Sequence, residues 1–159
     1  MKKLLQVSAV LIAAVLLFAG CKSNVEDKGE PPVVEDVFLT GAVNFTDLTW
    51  TQAEAYKTTT ITLANTPNLV IALTDIDHDI SQVQISTDSA FESWIYWEWK
   101  PENYVQKDSW WTVCTISTTN LKAETIANLK GTNKTVYVRA MDSKENYSEV
   151  KSLTGITIN

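Results

Sequence analysis

Short runs of β-branched and aromatic residues dominate the chain from about Val37 onward, and Thr, Asn, Asp and Gly separate them. Runs of this kind are typical of strands, because branched and aromatic side chains fit a pleated, half-buried surface. The candidate strands are 37–45, 58–64, 68–74, 81–87, 93–100, 110–117, 135–142 and 149–158, and only 120–129 has a helical pattern. Seven or eight strands at this spacing predict an all-β fold of two packed sheets.

A resemblance to known domains refines this prediction. GTNKTVYVRAMDSKENYS, Gly131 to Ser148, resembles the penultimate strand and final turn of bacterial immunoglobulin-like or fibronectin type III-like surface domains. VQISTDSAF, Val83 to Phe91, is similar to their middle strand and the turn after it. The resemblance implies an immunoglobulin-like sandwich over residues 37–159, and it implies no particular chemistry. Glu145 stands where such domains usually have a turn glycine, which predicts a different backbone geometry for that turn.

Alternation along the strands predicts which side chains face water. Successive side chains of a strand point to opposite faces, and an unpaired carboxylate such as Glu98 is rarely buried. The residues predicted to share the wet side are Trp94, Tyr96, Glu98, Gln82, Gln84, Tyr137 and Arg139. The residues predicted to point inward are Ile95, Trp97, Trp99, Val83, Ile85, Val136, Val138 and Ala140.

The resemblance places these strands in one sheet, so Trp94, Tyr96, Tyr137 and Arg139 become candidates for one ligand-binding face. Flat aromatic rings beside amides and a guanidinium suit a sugar ring or the surface of a partner protein. An ordinary structural role is the alternative, since strands favour aromatic residues whether or not they bind anything.

The first 20 residues have the pattern of an export signal. Lys2 and Lys3 precede an apolar run, 4–18, that is shorter than the roughly 20 residues of a membrane-spanning helix. Ala19-Gly20-Cys21 then resembles the lipobox of bacterial lipoproteins, although Phe18 stands where leucine is commoner. The alternatives are a plain secretion signal and an uncleaved anchor helix.

The lipobox resemblance implies cleavage of the signal peptide 1–20, acylation of Cys21 and attachment to a membrane through the lipid. Lys22, in place of Asp, resembles the enterobacterial pattern for transport to the outer membrane. The polar segment after the cysteine, including Pro31 and Pro32, completes a lipidated N-terminus and flexible tether over 21–36.

Charge and cysteine content bear on the possible partners of the chain and on disulfide formation. Removing the signal peptide changes the formal charge from −6 to −8, which argues against a nucleic-acid partner. With Cys21 acylated, Cys114 is left without a partner for a disulfide. Because Cys114 lies within an apolar strand pattern, we expect it to act as a small buried hydrophobic residue.

The stretch TDIDHDIS carries Asp75, Asp77 and Asp79 at alternate positions, a pattern that could supply oxygen ligands to calcium. Ile80 and Ser86 occupy the positions where an EF-hand loop has its glycine and its bidentate glutamate, so an ordinary solvated turn is the preferred interpretation. No cofactor or metal is therefore expected, and one histidine without partner cysteines does not suggest zinc.

No catalytic motif is recognised in the sequence. His78, the only histidine, lies in the acidic stretch, and no Gly-x-Ser-x-Gly elbow or glycine-rich phosphate loop occurs. The sequence therefore predicts a membrane-anchored, non-catalytic binding, adhesion or structural module of the bacterial envelope. The alternative is a carbohydrate-binding module of a polysaccharide-use system that employs the aromatic face.

Overall fold

The computed structural model describes residues 29–92, 94–98, 105–106, 111–119 and 121–159. Its strands are β1 (Val33–Thr40), β2 (Thr60–Ile61), β3 (Asn68–Thr74), β4 (Ile80–Ser86), β5 (Trp94–Glu98), β6 (Val105–Gln106), β7 (Trp111–Thr115), β8 (Gly131–Asp142) and β9 (Lys151–Ile158). Its helices are α1 (Trp50–Glu54) and α2 (Ala123–Leu129), with a short 3₁₀ turn at Leu63–Asn65. The predicted signal peptide, Cys21 and residues 22–28 of the tether lie outside the described residues.

The strands form two sheets that pack face to face, which confirms the predicted two-sheet β-sandwich. One sheet has the order β1-β3-β7-β6, and the other has the order β2-β9-β8-β4-β5. Neighbouring strands are antiparallel except β2, which pairs parallel to β9. Within the described ranges, no helix is both long enough and apolar enough to cross a bilayer.

The main core lies between the two sheets. From the five-stranded sheet it takes Val83, Ile85, Ile95, Val136, Val138, Ala140, Ile156 and Ile158, and from the other Val34, Val37, Leu39, Leu69, Ile71, Leu73 and Cys114. The predicted inward positions on β4 and β8 are thus confirmed, as is Ile95 on β5. Trp97 is paired with the core residue Val83, its side chain is outside the described part, and Trp99 is not described.

A second apolar cluster covers the outer face of the four-stranded sheet. Its sheet residues are Phe38, Val70, Trp111 and Val113, and segment 41–57 covers them with Phe45, Trp50 and Ala53. The rings pack edge to face, with the Trp50 and Trp111 centroids 5.6 Å apart. Among the described residues, both faces of this sheet are therefore covered, whereas Trp94, Tyr137 and Arg139 on the outer face of the five-stranded sheet are partly exposed.

Sequence patterns missed helix α1, which carries Trp50 and Ala53 into this cluster. The helix begins with a capping box: the Gln52 N–H donates to Thr49 Oγ1, and the Thr49 N–H donates to Gln52 Oε1 at 2.9 Å. The Thr-x-x-Gln pattern at 49–52 was the signal available in the sequence. A helix of about one turn shows too little periodicity to be recognised from the sequence.

Three predicted strands differ from the structure by more than two residues, and β6 was not predicted. β8 begins at Gly131, four residues before the predicted strand 135–142. β1 begins at Val33 and ends at Thr40, because it pairs with β3 from Thr74 to Asn68 along that length. It therefore takes in the last four residues of the segment predicted as tether. The predicted strand 58–64 is reduced to Thr60–Ile61, since the chain turns into the 3₁₀ helix directly afterwards.

The turn at Glu145 contradicts the geometry predicted for it. Glu145 has φ +65°, the left-handed conformation that a glycine at this position would adopt. The turn therefore keeps the glycine-type backbone, and the substitution leaves Glu145 in a conformation that is unfavourable for a residue with a Cβ atom.

Candidate functional site

The outer face of the five-stranded sheet brings together the positions of the four predicted binding residues. In the strand register, Ser86 lies between Trp94 and Tyr137, and Gln84 lies between Tyr96 and Arg139. Trp94, Tyr137 and Arg139 are each partly exposed, whereas the neighbouring Ile95 is 4% exposed and belongs to the core. The side chain of Tyr96 is outside the described part, so only its position in the register is known.

Gln84 was predicted to face water, and this prediction is wrong because the side chain is only 1% exposed. Arg139 Nε donates a hydrogen bond to Gln84 Oε1 at 2.7 Å, and Gln84 Nε2 donates to Gln82 Oε1. Gln84 thus lies on the outer face but beneath other side chains, with its amide used to hold Arg139.

Arg139 contacts two aromatic rings that the sequence did not single out. Its Cζ atom lies 4.1 Å from the ring centroid of Phe91 and 4.1 Å from that of Tyr147. Phe91 is 5% exposed and Tyr147 is 44% exposed, so one of the two rings is buried and the other is open to solvent. We call Gln84, Phe91, Arg139 and Tyr147 the arginine clamp.

The turn after β4 presents Phe91 to the clamp. The Asp88 carboxylate accepts hydrogen bonds from the N–H groups of Ala90 at 3.0 Å and Glu92 at 2.8 Å, and these backbone hydrogen bonds lower the pKa of Asp88. Phe91 has φ +55°, which is uncommon for a bulky residue. The turn therefore holds an unfavourable backbone conformation at the residue that covers Arg139.

The turn after β8 presents Tyr147. Asp142, which is fully buried, accepts hydrogen bonds from the N–H of Lys144 at 2.8 Å and from the N–H and Nδ2 of Asn146 at 2.8 Å and 2.7 Å. Burial alone would raise the pKa of Asp142, but these hydrogen bonds and the nearby Lys144 charge hold that pKa below its ordinary value. Ser148 Oγ accepts a hydrogen bond from the Ala140 N–H at 2.9 Å. The Asp and Asn-x-Ser residues of the resemblance thus stabilise a turn.

The acidic stretch between β3 and β4 forms a hydrogen-bonded turn. Asp75 Oδ2 accepts from the Asp79 N–H at 2.7 Å, and Asp79 Oδ2 accepts from Ser143 Oγ at 2.6 Å. Asp77 Oδ2 accepts from the Glu30 N–H at 3.0 Å. Each carboxylate therefore uses one oxygen in a hydrogen bond, and the bonds of Asp77 and Asp79 join the turn to residues far away in the sequence.

The other oxygens, Asp75 Oδ1 and Asp79 Oδ1, are buried and have no hydrogen-bond partner in the described ranges. Calcium requires six to eight oxygen ligands, and two carboxylate oxygens are far from that number. In the part of the chain that the structure describes, no three His, Cys, Asp or Glu side chains are grouped as a metal site would require.

Cysteine and histidine are two other potentially reactive side-chain types, and neither contributes a residue to the arginine clamp. Cys114 is fully buried in the main core, which confirms the prediction, and burial raises the pKa of its thiol. His78 is exposed in the acidic turn, with φ +56°. A buried thiol with a raised pKa is a poor nucleophile.

A cavity of about 530 Å³ opens between the edges of the two sheets, at β1 and β9. Its lining comprises Val37, Phe38, Leu39, Lys57, Thr58, Thr59, Leu153, Thr154 and Ile156. Lys57 Nζ contacts Glu54 at 2.9 Å and Asp36 at 3.8 Å. None of the predicted binding residues lines this cavity.

Comparisons with protein-family models, curated proteins and solved structures find no match to this chain. The geometry of the described residues is therefore the basis for assigning a function. The outer face of the five-stranded sheet combines partly exposed aromatic residues with a fixed guanidinium, a combination that can stack on a flat group and donate hydrogen bonds beside it.

Proposed function

We propose that the chain is a non-catalytic binding module of the bacterial envelope, attached to a membrane through a lipid on Cys21. Its ligand lies on the outer face of the five-stranded sheet. The observation that carries this proposal is that Trp94 and Tyr137 both pair with Ser86, from the strands on either side of it. Arg139 lies two residues further along β8 than Tyr137, so it shares their face.

Strand order supports an immunoglobulin-like assignment within the proposal. Immunoglobulin-like domains have the order A-B-E-D in one sheet and strands C, F and G in the other. The orders β1-β3-β7-β6 and β4-β8-β9 correspond to this pattern, with β5 added beside β4 and β2 added beside β9. Such sandwiches serve many functions, so the binding role depends on the surface.

The two sheets differ in what they offer a ligand. Segment 41–57 covers the outer face of the four-stranded sheet, so a ligand there would have to displace a packed aromatic cluster. Trp94, Tyr137 and Arg139 on the other sheet keep part of their surface exposed. Partly exposed aromatic and arginine side chains are those that dominate binding energy in interfaces.

Carbohydrate binding is the second candidate function of the same face. The aromatic positions lie near Gln82, whose uncharged polar side chain is partly exposed, while Gln84 and Ser86 on the same face are buried. Partly exposed aromatic rings beside such an amide suit the alternating apolar and hydroxyl surfaces of a sugar. A protein partner would use the same aromatic residues as anchors.

Binding of the detergent-solubilised full chain to envelopes of the producing bacterium tests the proposal. Trp94→Ala and Tyr137→Ala should each reduce binding, whereas Tyr56→Ala, which removes an exposed tyrosine from the other side of the sandwich, should not. Binding that survives protease treatment of the envelopes supports a glycan ligand, and binding lost with that treatment supports a protein partner. Unchanged binding by both face variants would contradict the proposed surface.

A further inference from the structure

We infer that the arginine clamp is a carboxylate-binding subsite and that the ligand of this face is an acidic polysaccharide containing uronic acids. The inference rests on the carbohydrate form of the proposed function and goes further by naming the class of sugar.

Arg139 is the only arginine in a chain that has 12 lysines. A general need for positive charge would be met by lysine, whereas a planar guanidinium is required where two faces are stacked and two donors act in parallel. The ring centroids of Phe91 and Tyr147 each lie 4.1 Å from Arg139 Cζ, and arginine stacks on aromatic rings through the face of its guanidinium. The edge of the guanidinium is therefore the part left to interact with a ligand.

The clamp uses only one of the five N–H donors of the guanidinium, the Nε–H that bonds to Gln84. Among the described residues, no carboxylate forms an ion pair with Arg139, and its two Nη groups have no protein acceptor there. Two parallel N–H groups fixed in one plane match the two oxygens of a carboxylate. Because Gln84 and the rings already restrict the side chain, binding loses little rotamer entropy.

Charge on the neighbouring positions also favours an anion. The outer-face residues beside Arg139 on β4 and β8 are Gln82, Gln84, Ser86, Tyr137 and Met141, none of which is charged. Glu98 is opposite Gln82 on β5, so a strand separates its position from β8. Arg139 therefore has no charged neighbour among these positions of β4 and β8, and its positive charge attracts a negative group most strongly at low salt.

A polysaccharide fits this face better than an acidic peptide. β4 and β8 each pair with strands on both sides, so their backbone groups are already used within the sheet. A peptide lying across them would find no backbone partners for its own N–H and C=O groups, whereas sugar hydroxyls can bond to side chains and water. Trp94 and Tyr137 are two strand spacings apart, about 10 Å, which leaves room for stacking on successive sugars.

Affinity electrophoresis or calorimetry of the detergent-solubilised full chain with polygalacturonate, alginate and hyaluronan tests the inference. The matched neutral ligand is fully methyl-esterified polygalacturonate, which keeps the sugar rings and removes the negative charge. We expect at least one of the three acidic polymers to bind. If polygalacturonate binds, its affinity should exceed that of its ester about tenfold or more. Arg139→Gln and Arg139→Lys should both lower the affinity for the acidic polymer about tenfold. Lys151→Gln, which removes an exposed lysine on β9, should leave that affinity unchanged.

Retained binding by Arg139→Lys, with an unchanged melting temperature, would overturn the inference because charge alone would then suffice. Equal binding of poly-glutamate would overturn it in favour of a peptide ligand. Binding of the ester as tightly as the acid, with loss in Trp94→Ala, would overturn the inference and leave the proposed carbohydrate function standing. Absence of binding to all three acidic polymers would overturn the inference, while envelope binding lost in Trp94→Ala would still support the proposed face.

Discussion

Trp94 and Ile95 are adjacent on β5 and have different surroundings. Ile95 is 4% exposed and packs in the main core, while Trp94 keeps part of its surface exposed on the opposite face. Ile95→Ala should therefore lower the free energy of unfolding by about 2–5 kcal/mol, and Trp94→Ala by less than about 2 kcal/mol. Urea melts of the two variants measure both values. A larger loss for Trp94→Ala would show that this face is a packed core.

Glu145 provides a second prediction at the residue scale. Its φ of +65° is unfavourable for any residue with a Cβ atom, and a glycine would remove about 1 kcal/mol of that penalty. Glu145→Gly should therefore raise the melting temperature by about 2–5 °C.

Glu149→Gly is the control for this change. Glu149 is also exposed but is not among the residues with positive φ, so glycine there should stabilise nothing and should slightly lower the melting temperature through added freedom of the unfolded chain. The same response from both variants would disprove the role assigned to the Glu145 backbone.

The side-chain faces of β4 and β8 could be predicted from the sequence because strand alternation has a fixed period of two. Val83 and Val138 point inward as the alternation requires. The burial of Gln84 could not be predicted in this way, because alternation assigns a side chain to a face but does not show whether other side chains cover that face. Phe91 and Tyr147 reach Arg139 from turns whose backbone conformations no alternation pattern describes.

At the scale of elements, strand β3 could be predicted from the sequence, whereas helix α1 could not. β3 has the predicted limits, Asn68–Thr74, because it lies between β1 and β7 and its residues are apolar on both faces. α1 was missed because its five residues are stabilised by a capping box and by tertiary contacts with Trp111. Such contacts join residues far apart in the chain and leave no local periodicity.

The acidic turn between β3 and β4 yields a prediction about metal binding. Because its carboxylates hold the turn through Asp75, Asp79 and Ser143, millimolar calcium should leave the melting temperature unchanged within error. A ligand that binds only the folded state raises that temperature by mass action. A saturable, calcium-dependent rise that is lost in Asp79→Asn would show that the two unpartnered Asp oxygens belong to a cation site.

At the scale of the whole molecule, the number of sheets and the all-β class could be predicted, while the covering of one sheet could not. The sequence showed regular strand spacing, which sets the class. The aromatic cluster of Phe38, Phe45, Trp50 and Trp111 forms only when segment 41–57 folds back over the four-stranded sheet. With that face covered, the partly exposed side chains of Trp94, Tyr137 and Arg139 lie on the other, five-stranded sheet.

The proposed attachment of the molecule to a membrane depends on Cys21. Cys21→Ala should abolish fatty-acid labelling and either release the protein from the membrane fraction or leave its signal peptide uncleaved, because an acyl anchor supplies about 0.8 kcal/mol per buried CH₂. Metabolic labelling with a fatty-acid analogue, followed by fractionation, measures this. Cys114→Ala is the control and should label as the unchanged chain does, since Cys114 is buried in the core. Normal labelling of Cys21→Ala would refute the anchor.

Ligand binding on the outer face of the five-stranded sheet is the central claim, and a ¹H–¹⁵N NMR titration with oligogalacturonate tests it most directly. Arg139 gives the only arginine Nε–H signal of the chain, so that signal can be assigned without ambiguity. We expect the Arg139 Nε–H and the amides of Ser86, Trp94 and Tyr137 to shift together and saturate, while Trp50 and Trp111 in the covered cluster stay unchanged. Saturable shifts centred on segment 41–57, or at the cavity between β1 and β9, with no change at Arg139, would contradict the claim.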